Sequence, residues 1–441
     1  MNGFSSSTVS NVAFKVGLLG LGTVGTGTAK ILLDPDQRQP LLRDLQLARV
    51  GVRSLDKPRS VDLPAEVLTT DLQGIVTDPD IDIVVELLGG LEPARTLILE
   101  AIAHGKHVVT ANKAVIARYG EEIFTAATAA GVYVLLEAAV GGGIPIIQPL
   151  KQSLGGNRIQ RLLGIVNGTT NYILTRMQRE GADFAAVLAD AQALGYAEAD
   201  PTADVDGLDA ADKVAILASL AFGGRIRRQD IPTEGIRSIT AGDIAYAEKL
   251  GYSIKLLAMA SRANHDCLEV RVAPTLVPHN HPLASVNEVN NAILVEADPL
   301  GQVMFFGPGA GEGATASAVV SDVLNIAAKL AAVPDGKPRV DPLLGCSHHH
   351  YAHIAPGSES HSRFYLRVLV DDVCGVIGHL GTSFGNHGIS LESIVQTDIR
   401  NGQAELVVIT HDVREGDFKA ALAEIEALAM TRELSNVLRV L

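Results

Sequence analysis

FKVGLLGLGTVGTG, residues 14–27, sets an apolar run directly against three glycines at GxGxxG spacing, Gly20, Gly22 and Gly25. A short apolar run bounded by glycine reads as a buried strand. The spacing then predicts a tight turn at Gly20, close approach of a phosphate to the backbone at Gly22, and close helix packing at Gly25. Thr23 and Val24 fall in the first helical turn, where free N–H groups and the positive end of the helix dipole attract phosphate. Strand, turn and helix together make the opening of a dinucleotide-binding βαβ unit.

Working outward, the runs LARVGV, IDIVVELL, KHVVTA and VYVLLE follow at intervals up to about residue 137, separated by helical stretches such as 93–104 and 121–131. Nearly unbroken apolar strands alternating with helices mean a parallel sheet covered on both faces, so residues 1–149 are expected to form a doubly wound α/β domain. After Pro149 the alternation loosens. Longer helical stretches at 185–194, 208–220 and 241–258 suggest an α+β domain over 150–331. Residues 332–360, rich in Pro, Gly, Ser and His, read as a linker. From 361 to 441 the order FYLRVLV, a helix at 375–386, ISLESIVQT, AELVVITH, a helix at 417–429 and NVLRVL gives a ferredoxin-like βαββαβ unit.

A chain of 441 residues needs more than one core, and 47% hydrophobic with 20% charged residues is an ordinary globular composition. A net charge of −14 repels a nucleic-acid backbone. The beginning lacks a signal-peptide pattern, no stretch has about 18 uninterrupted apolar residues, and Cys267, Cys346 and Cys374 are odd in number and dispersed. These features point away from membrane insertion and secretion and toward a reducing cytoplasm. His348, His349, His350 and His353 crowd one linker and are expected to be solvated rather than to ligate a metal.

The second strand ends at Arg53, followed by Ser54, Lys57 and Arg59, where an NAD site more often places a carboxylate for the ribose hydroxyl. NADP(H) is therefore preferred, with NAD(H) left open because Asp56 stands nearby. In GYAEADPTADVDGLDAADK, residues 195–213, six carboxylates share one short segment with Lys213; Asp209 and Lys213 share a helix face at i,i+4, so the carboxylate can orient the ammonium.

That segment, with VVELLGG (84–90), VVTANKA (108–114), EAAVGGGIP (137–145) and GIVNGTTNYIL (164–174), resembles homoserine dehydrogenase, and DDVCGVIGHLGTSFGNHGISLESI (371–394) resembles its amino-acid-binding ACT domain. With no kinase-like domain before residue 14, the monofunctional type is expected. The resemblance implies interconversion of L-homoserine and L-aspartate 4-semialdehyde by hydride transfer, in threonine, methionine and isoleucine biosynthesis. It gives Lys213 the proton-donor role and sets Lys113 near nicotinamide and substrate, two roles that spacing alone does not separate. Glu198 and Asp209 would take the substrate ammonium, with Asp204 in support, and Gly195 and Gly311 would contact the cofactor. Asn167, Thr169, Thr170 and Asn171 stay unassigned between polar contacts and a helix cap. The resemblance also implies a Na+ or K+ ion bound by Glu137, Val140, Gly142 and Ile144, L-threonine as effector near 375–388, and a homodimer or higher homo-oligomer. Another semialdehyde or amino-acid oxidoreductase, and a non-catalytic amino-acid sensor, are the competing readings.

Overall fold

Strands whose residues are nearly all apolar have no face to show to water, and this governs the first unit. The computed structural model describes residues 13–263, 267–332, 340–346, 350–400 and 402–441. Contacts divide the chain into one unit of residues up to 155 together with 310–347, and another of 156–309 and 348–441. In the first, β1 (Phe14–Leu19), β2 (Leu45–Gly51), β3 (Leu68–Thr69), β4 (Ile83–Glu86), β5 (His107–Thr110) and β6 (Val134–Leu135) form a six-stranded sheet in the order β3-β2-β1-β4-β5-β6, every pair parallel. The helices α1 (Thr23–Leu33), α2 (Leu72–Thr77), α3 (Ala94–Ala103), α4 (Lys113–Ala130) and α5 (Ile147–Lys151) complete the crossovers and the exit. Beginning at β1, the strand order reverses, which is the doubly wound arrangement the sequence implies. The short β3 has no counterpart in the sequence reading.

The helix Glu312–Ala331, read from sequence position with the second domain, packs in the first unit. Its Val319, Val323 and Ile326 join Val16, Leu18, Val50 and Val85 of the sheet in one core. It is apolar and long enough to cross a membrane by composition. Instead its apolar stripe is spent on this core, and its Asp322 is fully buried with a hydrogen-bond partner.

In the second unit, β7 (Arg158–Ile165) leads to α6 (Gly168–Glu180), α7 (Phe184–Ala193), α8 (Thr202–Val205), α9 (Leu208–Phe222) and α10 (Ala241–Lys249). Then come β8 (Tyr252–Arg262), β9 (Cys267–Pro278), β10 (Asn290–Asp298) and β11 (Gly301–Pro308), after which the chain passes through α11 (Glu312–Ala331) of the first unit. The expected helix over 241–258 is corrected here: it stops at Lys249, Gly251 takes φ 84, and Tyr252–Arg262 is a strand. The run YSIKLLAMASR contains good helix formers, but eight consecutive positions are buried, as suits an inner strand covered on both faces. Tertiary burial outweighs local propensity there.

The terminal module follows as β12 (His353–Ile354), β13 (His361–Asp371), α12 (Val376–Asn386), β14 (Leu391–Arg400), β15 (Gln403–Thr410), β16 (Val413–Arg414), α13 (Glu415–Glu426) and β17 (Thr431–Val440). The six main elements are the expected βαββαβ unit, closed over Phe364, Val368, Leu380, Phe384 and Phe418. Phe364 and Phe418 stack with centroids 4.1 Å apart. What the sequence does not reveal is that its sheet continues the neighbouring one. β17 pairs with β9 through Arg439↔Thr275 and Val440↔Leu276, making an eleven-stranded sheet with the path β11-β10-β7-β8-β9-β17-β13-β15-β14. Fully buried Asp243 on α10 fastens the junction, accepting from Arg367 Nε at 2.8 Å and Asn436 Nδ2 at 2.9 Å. His348 and His349 lie outside the described residues, and among the described residues no cluster of three or more His, Cys, Asp or Glu is arranged for a metal.

Candidate active site

Gly20 closes the turn after β1 with φ 103, its N–H bonded to Gly51 O at 3.0 Å. A side chain on Gly25 would put Cβ 2.1 Å from Gly20 O, so only glycine lets α1 start this close to the strand. Gly22, by contrast, faces open space, with nothing within 4 Å of where a Cβ would stand. It is the N-cap of α1 and supplies no side-chain cap, so the N–H groups of the first turn, including those of Thr23 and Val24, have no side-chain acceptor. This is an anion cradle of the kind a pyrophosphate needs. Arg53, just beyond β2, is exposed. Arg59 instead turns back on its own loop, donating to Leu55 O at 2.7 Å and Lys57 O at 2.9 Å. Gly311, at φ 120, is the N-cap of α11 and likewise has open space in front of it.

Lys113 occupies the first position of α4, whose N-cap is Asn112 through Oδ1 and the Val115 N–H. Asn112 Nδ2 reaches Gly90 O at 2.7 Å. Beneath it lies Glu86 at the end of β4, wholly buried, accepting from Thr110 Oγ1 at 2.7 Å and the Leu88 N–H at 2.8 Å. Burial raises the Glu86 carboxyl above its usual range. Glu86 stood inside VVELLGG, yet the motif alone did not identify it as the group that organises the turns at 88–90 and 110–112.

The loop at 137–144 is buried, and Gly141 and Gly142 are both left-handed, at φ 74 and 56. Glu137 does not aim its carboxylate at an open site: Oε1 accepts from Ile146 N at 2.6 Å and Ile147 N at 2.8 Å, and Oε2 from Gln148 N at 2.8 Å. It thus satisfies the N–H groups at the start of α5, and any contact it makes with a cation falls to its carbonyl. The Glu137 N–H donates to Asp322 Oδ2 at 2.7 Å. Val140, Gly142 and Ile144 offer backbone carbonyls, and among the described residues none of these three accepts a recorded backbone hydrogen bond. Hard oxygen donors of this sort suit a monovalent ion.

In the second unit the acidic segment and the NGTTN turn come together. Asn167 is the N-cap of α6, Oδ1 accepting from Thr170 N at 2.8 Å. Its amide nitrogen bridges two carboxylates, donating to Asp204 Oδ1 at 2.7 Å and Asp209 Oδ2 at 2.9 Å. Asp209 Oδ2 also receives Lys213 Nζ at 2.7 Å, one turn along α9, and the same ammonium donates to Val166 O at 2.6 Å. Asp209 and Lys213 are only 10% and 12% exposed, so this pair is no solvated surface ion pair. Burial, opposed by the Asn167 bond, raises the Asp204 carboxyl above its ordinary value. Lys213 has three N–H groups and two recorded acceptors, which leaves one donor uncommitted among the described residues. Glu198 is exposed on the loop that Gln192 Nε2 holds through the Glu198 and Ala199 carbonyls, and Gly195 is the left-handed residue following α7. Asn167, unassigned from sequence, is the residue that assembles this cluster; its signal was an Asn just before a helix that carried more polar side chains than a cap requires.

A phosphate cradle at the head of a doubly wound parallel sheet in one unit, and in the other a buried lysine oriented by carboxylates, define the class: a nicotinamide-dinucleotide-dependent oxidoreductase. Comparison with known families narrows this. The homoserine dehydrogenase model matches residues 145–324, the NAD-binding domain of homoserine dehydrogenase matches 20–137, and the ACT domain matches 364–429. A homoserine dehydrogenase of Synechocystis is 66% identical over 430 residues, covering 97% of this chain and 99% of the relative. The crystal structure of the Thiobacillus denitrificans homoserine dehydrogenase superposes with a TM-score of 0.90 at 44% identity, covering 97% of this chain and 98% of that one. A hyperthermophilic archaeal homoserine dehydrogenase, solved in complex with NADPH, covers 72% of this chain and 98% of its own with a TM-score of 0.60 at 27% identity. The chain belongs to the homoserine dehydrogenase family.

Proposed function

We propose that the enzyme interconverts L-homoserine and L-aspartate 4-semialdehyde with Lys213 as the proton donor. The observation that carries this is the uncommitted N–H of Lys213, whose other two are spent on Asp209 and Val166 O. Reduction of an aldehyde builds alkoxide character on oxygen, and a fixed ammonium in a partly dry site stabilises and then protonates it. Lys213 gives up that proton and regains one from water; in the reverse direction it accepts the hydroxyl proton. Asp209 orients the ammonium, Asn167 holds Asp209 and Asp204 apart, and exposed Glu198 receives the substrate α-ammonium, with Asp204 and Asp209 contributing negative potential. Lys113 stands at the cofactor side.

Gly20, Gly22, Thr23, Val24, Gly25 and Gly311 would hold a nicotinamide dinucleotide, with Gly195 as a further contact, and the cofactor when bound exchanges a hydride with the substrate carbonyl carbon. Exposed Arg53 beyond β2 supports NADP(H) over NAD(H), as does NADPH in the archaeal relative. The carbonyls of Glu137, Val140, Gly142 and Ile144 would bind Na+ or K+. A cavity of about 160 Å³ bounded by Asp371, Asp372, Gly375, Gly378 and Gln396 supports L-threonine as effector, Asp372 taking its ammonium. The exposed Met304 and Phe306 on edge strand β11 fit a second copy of the chain. We place the enzyme in the cytoplasm, in the biosynthesis of threonine, methionine and isoleucine.

The test is NADPH oxidation by the purified chain on addition of L-aspartate 4-semialdehyde. A folded protein that binds NADPH and does not turn over this substrate would contradict the reading. L-threonine should inhibit the wild type, and Asp372→Asn should weaken that inhibition with uninhibited kcat unchanged; equal inhibition of both would remove the effector assignment.

A further inference from the structure

Where the terminal module meets β9, four arginines converge on one cavity of about 180 Å³: Arg161 from β7, Arg271 from β9, Arg363 from β13 and Arg439 from β17, with His361 and Asp412 at its rim. Two of them have carboxylate partners. Arg439 donates to Glu234 Oε1 at 2.9 Å and Glu415 Oε2 at 3.0 Å, and Arg363 to the Tyr252 hydroxyl at 3.1 Å, to Glu392, and to Leu441 O at 3.5 Å. His361 lies 3.2 Å from Asp412.

The other two arginines do not: among the described residues neither the Arg161 nor the Arg271 side chain makes a hydrogen bond or an ion pair. The Nε atoms of both Arg271 and Arg439 are buried without any partner. Glu269 and Glu296 stand near them on β9 and β10, with Glu296 directly opposite Arg161 in register, but neither closes an ion pair with these arginines. Burial, and after it the charge of Arg439, works against the Arg271 guanidinium. A guanidinium does not shed its proton, so its N–H groups need acceptors, and an anion supplies both the acceptors and the countercharge that water does not. Two forks facing one cavity match an acceptor with several oxygens.

We propose that this cavity is a binding site for a phosphate-class dianion, inorganic phosphate or a small phosphomonoester. Its arginines come from β7 and β9 of the substrate-binding sheet and from β13 and β17 of the terminal module. An occupant therefore bonds to both sides of the seam and fastens the module to the sheet.

The probe is inorganic phosphate, titrated calorimetrically at constant ionic strength with NADPH saturating so that the dinucleotide cradle is filled. Binding should appear in the wild type, weaken at least tenfold in Arg271→Gln and in Arg161→Gln, and be unchanged in Arg158→Gln, an exposed arginine on the same strand as Arg161. Glycerol 2-phosphate in a parallel titration separates the sources: binding of both probes marks an open phosphomonoester site, and binding of phosphate alone a closed phosphate site. Arg161 is half-buried, so its variant carries the test if Arg271→Gln does not fold. No binding of either probe to the wild type, or equal binding to wild type and Arg161→Gln, overturns the proposal.

Discussion

Asn167→Asp isolates what Asn167 does beyond capping. Aspartate caps a helix as well as asparagine does, so the bond from Thr170 N survives. What disappears is the amide donor that reaches Asp204 at 2.7 Å and Asp209 at 2.9 Å. Hydrogen bonds to charged groups contribute about 1.5–3 kcal/mol each, so the two together amount to about 3 kcal/mol at the low end. A third carboxylate also enters the cluster, and unit charges about 4 Å apart repel by about 4 kcal/mol at an effective dielectric near 20. A proton taken up by one of the three relieves much of that repulsion, as the already raised Asp204 carboxyl suggests. The expected loss is therefore about 3 kcal/mol at pH 7, smaller at pH 5, where proton uptake costs less. Urea unfolding followed by circular dichroism measures it. Because Asp209 also orients Lys213, kcat should fall at least tenfold, by the logic of a misplaced proton donor. A variant within about 0.5 kcal/mol of wild type, with unchanged kcat, would refute the bridging role, since that is what a substitution at an uninvolved surface position produces.

Gly22→Ala should fold normally, because its φ of −80 suits alanine and its Cβ meets nothing within 4 Å. The added methyl occupies the space left for phosphate, so NADPH affinity measured by fluorescence titration should drop about tenfold or more; unaltered affinity would remove Gly22 from the cofactor site. His107 gives a pH dependence. Burial pushes its imidazole down to about 4, and Nδ1 accepts from the Tyr133 N–H at 2.9 Å, so the folded state holds it neutral. The unfolded chain binds a proton near pH 6.5, so this contribution to stability is intact above that pH, declines as pH falls from 6.5 to 4, and is constant below; it amounts to about 3 kcal/mol at most. Acid unfolding of His107→Gln should lack that decline, and identical pH profiles would contradict it.

Local pattern carried most of the architecture. The GxGxxG turn, the parallel strands and the terminal βαββαβ order depend on nearest-neighbour chemistry, and the structure has them where the residues put them. Residues 252–258 read as the end of a helix because Lys255, Leu256, Leu257 and Ala258 favour helix locally, and only burial between neighbouring strands decides for sheet. Two further features rest on long-range packing that no periodicity reports. Glu312–Ala331 sits in the core of the first unit rather than with the residues that precede it, and β17 joins β9 across more than 150 residues of chain. The site divides the same way. The i,i+4 spacing disclosed the Asp209–Lys213 pair, but the amide of Asn167, about forty residues earlier, supplies the brace. Glu137 was expected as a cation ligand, and its carboxylate turns out to be engaged by three backbone N–H groups.

The central claim is that Lys213 supplies the proton to the substrate oxygen. Steady-state reduction of L-aspartate 4-semialdehyde by Lys213→Ala, with NADPH affinity measured on the same folded preparation, tests it most directly. The account expects kcat to fall about 10²- to 10⁴-fold, the usual contribution of a positioned general acid, while NADPH binds as in wild type. A variant retaining more than about a tenth of wild-type kcat would contradict it and move the proton-donor role to another residue.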